Sequence, residues 1–129
     1  MKAYLLAAGA LAASLAASGA AETRMKVQDA KTLMIAAIDA ADGRAHGVLT
    51  GEVAHAVTQT FQATSPVYID VSTEKRYAQQ GCARLKVTFW QDGVRLPSVN
   101  SGGLLPPRRQ TIEFGVNYCR DGQPPNSLR

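Results

Sequence analysis

The side chains of this sequence equipped to attack, to ligate a metal or to carry a proton are few. There are two cysteines, two histidines and ten carboxylates in 129 residues. Cys82 opens the alternating run GCARLKVTFW, and Cys119 closes another, TIEFGVNYC. Three chemistries compete for them: a zinc site, a catalytic thiol and a disulfide. A zinc site wants further Cys or His nearby, and His46 and His55 are distant from both cysteines and not at i, i+4 spacing. A catalytic thiol wants a partner histidine and an uncommitted sulfur.

The strand pattern decides among them. With Cys82 facing Cys119 on neighbouring antiparallel strands, Ala83 falls opposite Tyr118, Leu85 opposite Val116, Val87 opposite Phe114 and Phe89 opposite Ile112. Each apolar residue meets an apolar residue, whereas a slip of one position would turn a whole set to the other face. The two cysteines are therefore expected to be bonded to each other, in an oxidising compartment.

Other reactive groups are poorly placed. His55 lies on an expected helix away from its apolar side, and His46 sits in a Gly-flanked segment. Asp70 and Glu74 are a close carboxylate pair, but glycoside hydrolysis needs two carboxylates across a cleft and Glu74 falls where its strand ends. The sequence carries no G-x-S-x-G, no glycine-rich phosphate loop and no H-E-x-x-H. It reads as a non-enzyme with no cofactor and no metal.

What remains is a surface. Arg84, Lys86, Trp90, Glu113 and Asn117 share the polar face of the two stapled strands, and Trp90 is the sole tryptophan. An aromatic beside cations can anchor a protein interface or stack on sugars; the competing expectation covers Trp90 with helix 1 or the 91–109 loop. Binding is assigned to Trp90, Arg84, Lys86, Leu104, Leu105, Arg108 and Arg109.

The elements that position these residues follow from periodicity. Residues 1–21 read as a signal peptide: Lys2, an apolar run from Tyr4 to Ala17, then small residues before a cleavage site at Ala21 or Glu22. The run falls short of the roughly 20 residues a membrane-spanning helix needs. No cysteine near the cleavage site offers a lipid attachment, so no stable membrane anchor is expected after cleavage. A first helix is expected over 22–41, with Met34, Ala37, Ile38 and Ala41 on one stripe. A second begins at Thr50 as N-cap and buries Val53, Val57 and Phe61. Period two then marks strands at 67–73, 83–90 and 111–118, with a further short strand at 45–49. Asp92-Gly93 reads as a turn.

The expected fold is α+β: two N-terminal helices packed on a small antiparallel sheet of three to four strands, with helix 2 at least on the Val/Leu/Phe face. Residues 22–129 form one exported domain, with a mobile loop at 97–109 and a frayed tail at 121–129. The formal net charge is +4, but the basic residues are scattered. That argues against a specific nucleic-acid site and leaves at most weak affinity for anionic polymers. The expected function is that of a periplasmic or secreted, non-catalytic accessory or assembly protein binding another cell-envelope protein. The alternatives are a periplasmic inhibitor or immunity protein plugging a cell-wall hydrolase through Leu104-Leu105, and a small envelope-polymer-binding protein.

Overall fold

The computed structural model describes residues 23–129; the expected signal peptide lies outside them. Seven elements follow in order: β1 (Met25–Val27), α1 (Lys31–Asp39), β2 (Arg44–Leu49), α2 (Glu52–Thr60), β3 (Tyr68–Arg76), β4 (Cys82–Val94) and β5 (Arg108–Cys119). The strands make one five-stranded sheet in chain order, with β1 parallel to β2 and every other pair antiparallel. The class is α+β with two helices and one disulfide. The expectation of three or four antiparallel strands behind two leading helices is corrected to a mixed sheet of five that begins with a strand.

The correction at the N-terminus has a physical cause. Residues 25–27 have good helix formers, but Val27 is buried and Met25, Lys26 and Val27 pair with Gly47, Val48 and Leu49. Sheet pairing outweighs the weak bias of helix propensity. Two parallel neighbours need a crossover, and α1 supplies it. The Asp29 carboxylate accepts from the Lys31 backbone N–H at 3.0 Å, turning the chain into the helix. At the other end Arg76 of β3 donates to the carbonyls of Ile38 and Ala40, at 2.7 and 2.8 Å, filling acceptors that the last helical turn leaves open.

α1, not α2, packs on the core. Leu33, Ala37 and Ile38 are buried against Val27, Ala45, Ile69, Val71, Ala83, Leu85 and Val87. Gly47 makes the close approach possible: a Cβ there would stand 2.5 Å from Leu33 Cδ1 and 3.0 Å from the Met25 carbonyl. The second helix departs from expectation. Val53 is 76% exposed and Ala54 is its buried residue. Its N-cap is Gly51, because the Thr50 hydroxyl donates instead to the Val27 carbonyl and ties β2 to β1.

The β4–β5 register is the one the cysteines imply. Cys82 faces Cys119, Leu85 faces Val116, Val87 faces Phe114, and the two sulfurs are bonded. Burial along β5 is less complete than the pattern implied: Phe114 is 45% and Ile112 67% exposed. The reason is length. A nine-residue helix spans about 13 Å at 1.5 Å per residue, whereas twelve strand residues span about 40 Å. One short helix cannot cover the sheet.

Asp92-Gly93 is no turn. It lies within β4, at the register shift between Gln91 and Val94. Gly93 takes φ 68° there, and Thr64 lies where a side chain would project. Beyond β4 the chain folds back on itself, with Pro97 bridging Leu104 and the Ser98 N–H donating to the Gly103 carbonyl. Arg108 and Arg109 belong to β5. The tail lies along the β3–β4 connection, where the Ala78 N–H donates to the Arg129 carbonyl and the Asn126 N–H to Gln79.

Candidate functional site

Pleating gives the sheet two unlike faces. One holds the core under α1; the other turns His46, Asp70, Thr88 and Trp90 outward. In the register, His46 stands beside Asp70, Asp70 beside Thr88, and Tyr68 beside Trp90. Asp70 is the hub of this face. Its Oδ1 lies 2.7 Å from His46 Nδ1 and accepts from Arg24 at 2.9 Å, while Oδ2 accepts from the Trp90 indole at 2.7 Å. An ionised carboxylate only accepts, so Nδ1 of His46 carries the proton toward it. The Arg24 guanidinium also donates to the Gly47 carbonyl and lies 4.6 Å from the Tyr68 ring centre. Arg109 lies 4.2 Å over Trp90 and forks onto Asp92. Trp90 is half-buried among Tyr68, Arg24 and Arg109 rather than under a helix or the loop.

Burial pushes the Asp70 pKa up, but the hydrogen bonds from His46, Trp90 and Arg24, with the Arg24 charge, outweigh it and hold the carboxyl below its usual value. A carboxyl held lower in the folded state stabilises the fold above its unfolded pKa of about 3.9 and loses that contribution as pH falls through the folded value. The stability advantage of the native chain over an Asp70→Asn variant is therefore expected to shrink below about pH 4. Urea melts of both proteins across the acid range check this. A gap that stays constant to the lowest pH would mean that the charge of Asp70 contributes nothing.

Both oxygens of Asp70 are committed to donors that fix Trp90, His46 and Arg24. The sequence reading paired Asp70 with Glu74, but Glu74 falls at a register shift in β3 and the partners of Asp70 come from β2, β4 and the residue before β1. Only the cross-strand register brings them together. Strand patterns alone carry no signal for it.

The second feature is an apolar groove on the core-side face, beyond the reach of α1. Leu49, Val57, Phe61, Phe89, Leu96 and Ile112 line most of its roughly 380 Å³, and Phe89 stacks with Phe114, ring centres 6.1 Å apart. Gln91 and Thr64 show how the floor is held: the Gln91 amide donates to Thr58 Oγ1 and to the Ser65 carbonyl, both at 2.9 Å, while Thr64 N–H donates to the Asp92 carbonyl. Val57 and Phe61, expected in the core, form one wall. Arg108 stands opposite the groove residue Val94, and Arg95, next in the chain to Leu96, donates to the Leu105 carbonyl at 3.1 Å.

The residues assigned to binding are dispersed. Trp90 and Arg109 stack together on the polar face. Arg84 reaches Asn117 and lies over Gly115, and Lys86 stands 4.0 Å from Glu113. Leu104 and Leu105 lie on the folded-back loop, each more than one-third exposed. Arg108 stands opposite Val94 of the groove. Missed by the sequence reading were Leu49, Phe89 and the second helix as groove walls; their apolar character was legible but was assigned to the core.

No protein-family model matches this chain, and no curated protein or solved structure matches it. The class it defines is thus stated from its own architecture: a disulfide-stapled α+β domain whose mixed sheet is covered over part of one face.

Proposed function

We propose that this protein is an exported, periplasmic or secreted accessory protein without catalytic activity, which binds another cell-envelope protein through the apolar groove between α2 and the sheet. The observation that carries this reading is that Ile112 lines the groove and Phe114 stacks on its Phe89 wall, two large apolar side chains exposed on one strand. A domain with a modest core gains by covering such a surface, at roughly 25 cal/mol per Å². The occupant that fits is a segment of the partner with two or three large aliphatic or aromatic anchors on one side. Arg108, opposite the groove residue Val94, favours acidic residues flanking those anchors.

A second reading, that of a hydrolase inhibitor, draws on the exposed pair Leu104 and Leu105 on a loop closed by backbone hydrogen bonds. Site-specific photo-crosslinking in the envelope separates the two. A crosslinker replacing Ile112 is expected to trap one protein species, and Val57→Asp is expected to abolish that adduct while leaving the thermal melt nearly unchanged. An adduct with a cell-wall hydrolase that forms from position 104 and not from 112 would favour inhibition. Identical adducts from 112 and from Lys86 on the opposite face would defeat groove binding.

A further inference from the structure

β5 is an edge strand, and its open side can be assigned atom by atom. Arg120 N–H donates to the Gly81 carbonyl, whereas Cys119 N–H donates to Gln123. In an antiparallel ladder bonded and non-bonded pairs alternate. The backbone groups of Ile112, Phe114 and Val116 therefore point to β4, and those of Thr111, Glu113, Gly115 and Asn117 point outward. Among the described residues no strand pairs with this edge. Proteins usually blunt such an edge with charges, proline or a bulge. Between Arg109 and Cys119 the only charged residue is Glu113, and there is no proline.

We propose that this edge pairs with the same edge of a second copy, antiparallel about a two-fold axis at Phe114, joining the two sheets into one. Register and charge select this arrangement. Centred on Phe114, the pairing sets Phe114 against its counterpart and Ile112 against Val116 on the apolar face. On the polar face it sets Thr111 against Asn117 and Glu113 against Gly115.

Gly115 is where Arg84 matters. The Arg84 guanidinium lies over Gly115, in the space a side chain there would take. It thus reaches from β4 over β5, where Nη1 also donates to Asn117 Oδ1 at 3.3 Å. In the Phe114-centred pairing the Glu113 of the second copy stands opposite Gly115, so each Arg84 fork meets a carboxylate, twice per dimer. Neighbouring centres fail on charge or polarity. Centring on Glu113 opposes two carboxylates, and centring on Gly115 brings the two Arg84 forks together. Centring on Ile112 puts Arg108 opposite Val116, and centring on Val116 puts Arg120 opposite Ile112. The selected pairing also places the two apolar grooves on one face, either side of the axis. It goes beyond the groove-binding reading and does not depend on it.

Sedimentation equilibrium of the full mature chain is expected to show a monomer–dimer equilibrium below about 100 μM, since a paired edge with apolar flanks is of modest area. Arg84→Glu and Glu113→Arg are each expected to weaken dimerisation by on the order of tenfold, and the double reversal to restore it. Because Phe114 is half exposed, Phe114→Cys leaves the core intact and tests the register independently. The facing pair at the axis is non-hydrogen-bonded, a close Cα approach that suits a disulfide. A dimer crosslinked through the two introduced thiols is expected on non-reducing gels, and none from Thr111→Cys. A monomer throughout the concentration range would overturn the proposal. So would a dimer that crosslinks at 111 and not at 114, or one that the double charge reversal fails to restore.

Discussion

Reducing the Cys82–Cys119 bond is expected to cost this domain about 4 kcal/mol, the chain-entropy value for a loop of its length. That is a large share of the ~5–15 kcal/mol by which domains of ordinary size are stable. The bond closes the chain between two strands that are already neighbours in the sheet. The native contacts of Leu85 with Val116 and of Val87 with Phe114 do not require it, so most of the effect belongs to the freed denatured chain. Urea unfolding with and without reductant measures it. The midpoint is expected to fall and the m-value to rise, since the reduced denatured state exposes more surface. Cys82→Ala, Cys119→Ala and the double variant are expected to melt together, because any one of them removes the same bond. Unchanged midpoints under reductant would show that the strand pair holds its end without the bond.

Comparable in size is the joint between α1 and the sheet. Leu33 is fully buried and fills the space left by the missing side chain of Gly47. Leu33→Ala is expected to cost about 3–4 kcal/mol through lost burial and the cavity left behind. Gly47→Ala meets the opposite difficulty. Its methyl would press on Leu33 Cδ1 and on the Met25 carbonyl, and overpacking of this kind costs about 1–3 kcal/mol. Combined, the two changes compensate in part, because the alanine methyl at 47 occupies space vacated by Leu33. The double variant is expected to be more stable than the sum of the single losses by about 1 kcal/mol, within the range of coupling seen for residues in contact. Chemical denaturation of the four proteins closes the cycle. Strict additivity would mean that Gly47 is held for the approach of the Met25 backbone, not for Leu33.

Both results bear on the surface proposed for binding. α1 covers the half of the sheet near the disulfide, where Arg120 pairs with Asp39 at 2.6 Å. The other half, with the groove, Ile112 and Phe114, is left open. Loosening α1 would disturb the first half and leave the groove walls of α2 and β4 in place. The proposed groove binding and global stability are therefore expected to vary separately, which makes Val57→Asp a usable test of that proposal.

Local pattern determined much of this protein. Period two over 83–90 and 111–118, with a cysteine at matching ends, was enough to specify the β4–β5 register and the disulfide, because a one-residue slip inverts every side chain. The end of α1 before Gly43 and the exposed position of His55 on α2 were likewise written in local sequence. Tertiary structure decided the rest. Residues 25–27 became a strand because β2 offered a parallel partner, and no local signal reports a partner some twenty residues away. Asp92-Gly93 stayed within a strand because Thr64 packs on a bulge there. Asp70 gathered Arg24, His46 and Trp90 only once β2, β3 and β4 had taken their register. Phe114 and Ile112 alternate like core residues, and the alternation does place them on the core face. Whether anything covers that face depends on the length and position of α1, and a nine-residue helix cannot reach them.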